Sequence, residues 1–239
     1  MSRSVPHRDP ELNAIKEDLR ALADPRKARV LQRFFKTGPG EYGQGDLFIG
    51  VTVPKSRQVA KKHAGAGMDE VKELLYSKIH EERLVALLIL VDRYRRDPEG
   101  VARFYLDNLG QVNNWDLVDL TAPKILGPFL EKRGRSLLYR LARSKVLWER
   151  RVAILTTYHY IHARDFADAL KISEILLRDE HDLMHKAVGW MLREIGKRDT
   201  RAEGAFLQKH YKKMPRTMLR YAIEKFPERT RRAYLEGTA

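Results

Sequence analysis

The sequence predicts an all-α protein, a helical-repeat solenoid with a concave basic groove. Three observations predict it. Apolar residues recur at intervals of three and four, as in Leu84, Leu87, Leu88 and Val91, with Leu147, Ile154 and Leu155 on a second stripe. That spacing gathers them on one face of a helix. No long alternating run asks for a strand. Finally, helices of one pattern return at a period in the thirties, as expected of a solenoid with two helices per repeat.

Along the chain, Thr37 to Pro54 (TGPGEYGQGDLFIGVTVP) carries four glycines by Gly45 and predicts a loop. Pro54 then opens a basic helix, PKSRQVAKKH, from a first-turn position where its missing N–H costs nothing. Breaks are predicted near Asp97-Pro98, Pro123, Arg133-Gly134, Asp199 and Pro215, separating helices of about 10–16 residues. The repeat is visible in RLVALLIL, VDLTAPKIL, RRVAILTT, HKAVGWML and LRYAIEKF. They place Ala86, Ala122, Ala153, Ala187 and Ala222 at matching positions, 31 to 36 residues apart. A small residue at a fixed place lets paired helices approach closely. The helices that line a solenoid's concave face present their repeated positions along it, and Arg83, Arg150, Arg151, Lys186 and Arg220 lie in these segments.

Length and charge narrow the function. The 239 residues are read as one domain, 1–239, with tails at about 1–11 and 233–239. Hydrophobic residues make up 43%, too many for a disordered chain. There is no cysteine, which excludes disulfide scaffolds, thiolate metal sites and cysteine nucleophiles. The longest apolar run, Leu84 to Val91, has eight residues, against about 20 for a bilayer span. The start, MSRSVPHRDPE, lacks an apolar signal segment, so a cytoplasmic protein is expected. Lys and Arg number 46 against 32 Asp and Glu, a net charge of +14, which suits a polyanion such as nucleic acid. The cations lie within helices: Lys55 and Arg57, Lys132 to Arg135, Lys209 to Arg216.

No GxxxxGK[ST], GxGxxG or HExxH motif is present, and His159 and His162 have no third ligand near them in sequence. No metal or cofactor is expected. The richest segment is Asn113-Asn114-Trp115-Asp116-Leu117-Val118-Asp119. Either asparagine can cap a helix, with Asp116 in its first turn. Trp115 and Asp119, four apart, share one helical face. The residues alone leave two readings: a buried tryptophan with Asp119 paired to an arginine, or a carboxylate beside an aromatic ring on a basic groove. Trp148-Glu149-Arg150-Arg151 and His185-Lys186-Ala187-Val188-Gly189-Trp190 open the next two repeats in similar style.

NNWDLVD with TAPKILG behind it, WERRVAIL and HKAVGWMLREIGK occur in this order. The three together resemble the AlkD family of bacterial alkylpurine DNA glycosylases, over roughly residues 12 to 225. The resemblance implies a HEAT-like fold and cleavage of the N-glycosidic bond of N3- and N7-alkylated purines in double-stranded DNA. It implies a monomer in a bacterial cytoplasm, associated with the nucleoid through DNA. It assigns Asp119 as the catalytic carboxylate, Trp115 and Trp190 as the tryptophans flanking the lesion nucleotide, and Arg151 as the arginine that grips DNA nearby. Phe34, in LQRFFK, stands where the family has a tyrosine and lacks its hydroxyl. Arg150, Lys186, Arg193, Lys55 and Arg57 are expected to contact the DNA backbone. A scaffold that binds duplex or branched DNA without chemistry is the alternative.

Overall fold

A computed structural model describes residues 10–239, and among them there is no strand. The helices are α1 (Pro10–Ala21), α2 (Pro25–Phe34), α3 (Val53–Lys62), α4 (Met68–Leu75), α5 (His80–Arg93), α6 (Pro98–Asp107), α7 (Trp115–Glu131), α8 (Ser136–Leu141), α9 (Leu147–His162), α10 (Ala167–Ile175), α11 (Asp182–Gly196), α12 (Thr200–His210), α13 (Arg216–Ala222) and α14 (Glu228–Glu236). None is long and apolar enough to cross a membrane.

Several starts follow from local chemistry. Asp24, Asp97 and Asp199 each accept backbone N–H groups at the head of α2, α6 and α12. Such caps satisfy donors that have no partner inside the helix. Pro25, Pro98 and Pro54 occupy first-turn positions.

The repeat takes physical form in the five alanines. Ala86, Ala122, Ala153, Ala187 and Ala222 lie on α5, α7, α9, α11 and α13, every second helix, each at most 1% exposed. In sequence order α11 packs between α9 and α13. The approach to α13 is so close that a Cβ on Gly189 would lie 2.5 Å from the Met218 carbonyl oxygen.

Pro123 does not break the chain as the sequence predicts. α7 continues through Pro123 and Pro128. Neither proline has an N–H for the carbonyl four residues earlier, so the helix survives by packing. Leu117, Val118, Ala122, Ile125 and Leu126 are all fully buried. Tyr160 donates its hydroxyl to the Gly127 carbonyl at 3.0 Å. Burial of this kind outweighs a local propensity penalty of about 3 kcal/mol.

The tails also need correction. Residues 1–9 of the expected 1–11 tail lie outside the described residues, and Pro10 and Glu11 open α1. The expected tail from 233 is docked: α14 runs to Glu236, Tyr234 is buried, and Tyr211 donates to the carbonyls of Gly237 and Ala239. The aromatic Tyr234 has enough apolar surface to hold the end of the chain.

Contacts divide the chain into two compact units, one ending at Leu117 and the other beginning at Val118. In the first, the 37–52 segment is the loop the sequence predicts, tied down by several side chains, among them Gln32, which bonds the Asp46 carbonyl and the Phe48 N–H. The Glu81 carboxylate accepts the backbone N–H groups of Ile49, Gly50 and Val51 at 2.8 to 3.1 Å. In the second, Glu203 on α12 is 1% exposed, and its Oε1 meets no hydrogen-bond partner. Burial pushes its carboxyl up to about 8, against the opposing pull of Arg193. A folded value raised above the ordinary 4.5 makes stability greatest below that ordinary value and lets it fall until the pH passes about 8. Glu203→Gln is therefore expected to stabilise the protein by up to about 4 kcal/mol at pH 8 and hardly at all at pH 4.5. Thermal unfolding across that range checks this; parallel curves for the two proteins would refute it.

Candidate functional site

The first unit builds an aromatic cluster at the start of α7. The Trp115 N–H is held by the Asn114 side-chain oxygen at 2.8 Å. The Trp115 ring stacks on Phe35, with centroids 5.0 Å apart and planes 7° apart. Phe34 meets the same indole edge-on at 6.0 Å and is itself 62% exposed. Such an exposed phenyl ring is an available stacking or wedging surface. Phe35 also touches Phe48 and His80, so the indole rests on a packed floor.

Beneath that floor lies a charged network the sequence does not reveal. His80 reaches Asp116 at 2.8 Å and Asp46 at 3.2 Å through its two ring nitrogens. Arg83 pairs with Asp46 at 2.5 Å and donates to Asn113, while Asn114 donates to Asp46. All are buried or nearly so. Burial works against the His80 imidazolium, but Asp116 and Asp46 outweigh it and raise the ring to about 8. The stabilisation this raised value gives is complete below the ordinary histidine range and is lost as pH rises through about 8. Arg83, expected along the groove, is spent inside this network.

The second unit holds Asp119 on α7 and Arg151 on α9. The guanidinium grips the carboxylate with two parallel bonds, Nε to Oδ1 and Nη2 to Oδ2, both at 2.8 Å. Its Nη1 donates to the Leu183 carbonyl on α11 at 2.7 Å. One arginine on α9 thus joins α7 and α11 as well. Its side chain is 5% exposed, and that of Asp119 12%. A bidentate pair of this kind fixes the plane of the carboxylate.

Trp190, on α11, is half-buried. Its indole N–H donates to Glu194 at 3.2 Å, and Tyr158 stands 5.7 Å from its ring. Trp148 is half-buried at the start of α9. The remaining cations divide. Arg150 is held by Asp179 and by the Ser144 and Lys145 carbonyls. Lys186 pairs with Asp182, and Arg193 with Glu224. Lys55 is half-buried, whereas Arg57 and Arg220 are exposed. Exposed pairs such as Lys186–Asp182 exchange partners at little cost; the Arg150–Asp179 pair, with a nearly buried carboxylate, does not.

Sequence reasoning missed His80, Asp46 and Glu194. The first two are joined only by folding. Glu194 was legible, because it follows Trp190 by four residues, the spacing that brings helix side chains together.

A family model described as DNA alkylation repair enzyme matches residues 15–226. Comparison with curated proteins gives no match. Among solved structures, the chain resembles a predicted DNA alkylation repair enzyme from Enterococcus faecalis, with TM-score 0.68 and 16% identity, covering 86% of this chain and 97% of that one. It also resembles AlkD2 from Streptococcus mutans, with TM-score 0.54 and 18% identity, covering 85% and 98%. At these identities the likeness establishes the helical-repeat fold.

Proposed function

Because the chain belongs to the family of DNA alkylation repair enzymes, we propose that it is a monofunctional DNA glycosylase. It hydrolyses the N-glycosidic bond of cationic N3- and N7-alkylated purines in duplex DNA and thereby begins base excision repair. The observation that carries this reading is the Asp119 carboxylate, held in a fixed plane by Arg151 with part of its surface open.

The chemistry follows from the leaving group. A purine alkylated at N3 or N7 carries a positive charge and departs as a neutral base, so it needs no strong acid. The two carboxyl groups of ordinary glycoside hydrolysis reduce to one. Asp119 stabilises the developing oxocarbenium sugar and orients the attacking water. Trp115, one turn earlier on α7, and Trp190 offer π faces that attract the cationic nucleotide, each contributing on the order of 0.5–2 kcal/mol. Phe34 adds an exposed ring, and Arg57, Lys55 and Lys186 neutralise phosphates. Arg150 and Arg193 contribute through their own carboxylates more than through DNA.

The test is a panel of duplexes, each with one lesion, scored for release of free base. Release of 3-methyladenine and 7-methylguanine is expected, with hypoxanthine, uracil and ethenoadenine retained. Rapid loss of hypoxanthine or uracil would reveal a general acid and refute the single-carboxylate mechanism.

A second reading has its own support. The Asp119–Arg151 pair is also what a non-catalytic DNA-binding scaffold would keep to hold three helices together. That scaffold would bind duplex with a steep salt dependence, about 0.9 in log K per phosphate contact, and release no base from any member of the panel.

A further inference from the structure

Behind Trp190 the second unit carries an ordered column of polar side chains that the mechanism does not use. Residues 190, 194 and 198 follow each other at four-residue intervals along α11 and just past its end; 158 and 162 do the same on α9. Glu194 is 5% exposed. Its Oε1 accepts the Trp190 indole N–H at 3.2 Å and the Lys197 ammonium at 2.6 Å. Its Oε2 accepts Arg198 at 3.1 Å. Arg198 also reaches the His162 ring at 2.9 Å. His162 packs edge-on against Tyr158 at 4.5 Å, and Tyr158 lies against the Trp190 ring. The indole is held at its N–H edge and walled on one side.

We propose that Glu194 is a positioning residue for Trp190: its carboxylate fixes which face the indole presents to a bound cationic nucleotide, and Lys197 and Arg198 hold that carboxylate in place. The proposal rests on the reading that Trp190 flanks the lesion. The physical basis is the broad, roughly two-fold torsion of an aromatic side chain about its second angle. A half-buried indole with no anchor populates more than one orientation, and binding must then select one. A carboxylate acceptor removes that freedom. It also sets a negative charge at the ring edge, which favours a cation over the face. Burial raises the Glu194 carboxyl, but Lys197 and Arg198 outweigh it and hold the group below its ordinary range, in keeping with a permanent anion.

Two measurements on the full chain test this. In protein labelled with 15N at tryptophan, the Trp190 indole resonance is identified by its absence in Trp190→Phe. Glu194→Leu is expected to shift that resonance and speed its exchange with water, while Glu194→Gln, which keeps an acceptor, leaves exchange slow. An unmoved resonance in Glu194→Leu overturns the proposal without reference to activity. The second measurement is a double-mutant cycle read as base release from a 7-methylguanine duplex. Glu194→Leu alone is expected to slow release about tenfold, and Glu194→Gln much less. In the Trp190→Phe background, which has no indole N–H, Glu194→Leu is expected to cost nothing more. Additive losses would mean that Glu194 acts only on the fold and would overturn the proposal. Trp190→Phe with wild-type release of 7-methylguanine would instead remove Trp190 from the lesion site, and the functional half of the proposal with it, while the resonance still reports the anchor. Absence of base release in the wild type would refute the glycosylase reading and with it the role at the lesion.

Discussion

Asp119→Asn is expected to slow base release from methylated duplex by at least about 100-fold, the usual cost of removing one electrostatic stabiliser of a developing charge. The amide keeps the shape of the carboxylate and can still accept one bond from Arg151. It cannot offset the positive charge that grows on the sugar. Binding to undamaged duplex is expected to stay intact or tighten slightly, because an anion that repels phosphate has gone. The structure adds a reason for tightening. Arg151 gives two of its donors to Asp119 in the free protein, and the neutral amide releases part of that guanidinium's charge. The measurements are single-turnover release of 7-methylguanine and duplex affinity on the same preparation, at a temperature well below unfolding. Near wild-type release would remove Asp119 from the chemistry and leave the non-catalytic scaffold as the better reading.

Arg151→Met is expected to destabilise the protein by about 3 kcal/mol, the low end for breaking a buried ion pair, since Asp119 keeps some access to water. Three of the arginine's hydrogen bonds cross helices, so the loss loosens α7 against α9 and α11 together. Base release is expected to fall even where the variant is fully folded, because nothing then fixes the plane of the Asp119 carboxylate. The family resemblance makes Arg151 a DNA contact, which predicts a salt dependence flatter by about one phosphate. With the guanidinium buried and committed, the structure leads to a different expectation: a nearly unchanged salt slope and a large loss of stability. Thermal unfolding and duplex affinity at several salt concentrations separate the two. A second variant isolates the cause. Adding Asp119→Leu to Arg151→Met is expected to recover most of the stability, because stranding one buried charge costs far more than removing the pair. If the double variant is no more stable than Arg151→Met, the deficit comes from lost packing.

The loop at 37–52 and the aromatic floor under Trp115 show how far local reading reaches. Glycine density marked the loop. It did not mark Glu81 as an anchor, 30 to 32 residues further on. Trp115 and Phe34 stood out as residue types, yet Phe35, the ring on which Trp115 stacks, differs from Phe34 only by one position in the chain. Which of the two faces inward depends on the helix end and its neighbours.

By itself the sequence determined the helical texture, the repeat, the excess of cations and the order of the motifs. The cation excess is a matter of composition; the others rest on spacing along the chain: a period of 3.6 residues sets the buried stripe, and a small residue every thirty-odd positions marks where helices touch. The five alanines are buried for that reason. Tertiary structure alone decided that Pro123 leaves α7 unbroken, that Tyr234 docks the chain end, and that Asp119 belongs to Arg151 rather than to open solvent. It also decided that His80 is clasped by Asp46 and Asp116. These partners lie 32 to 36 residues apart along the chain. No periodicity encodes such a pairing, because it depends on the angle and depth at which one repeat packs on the next.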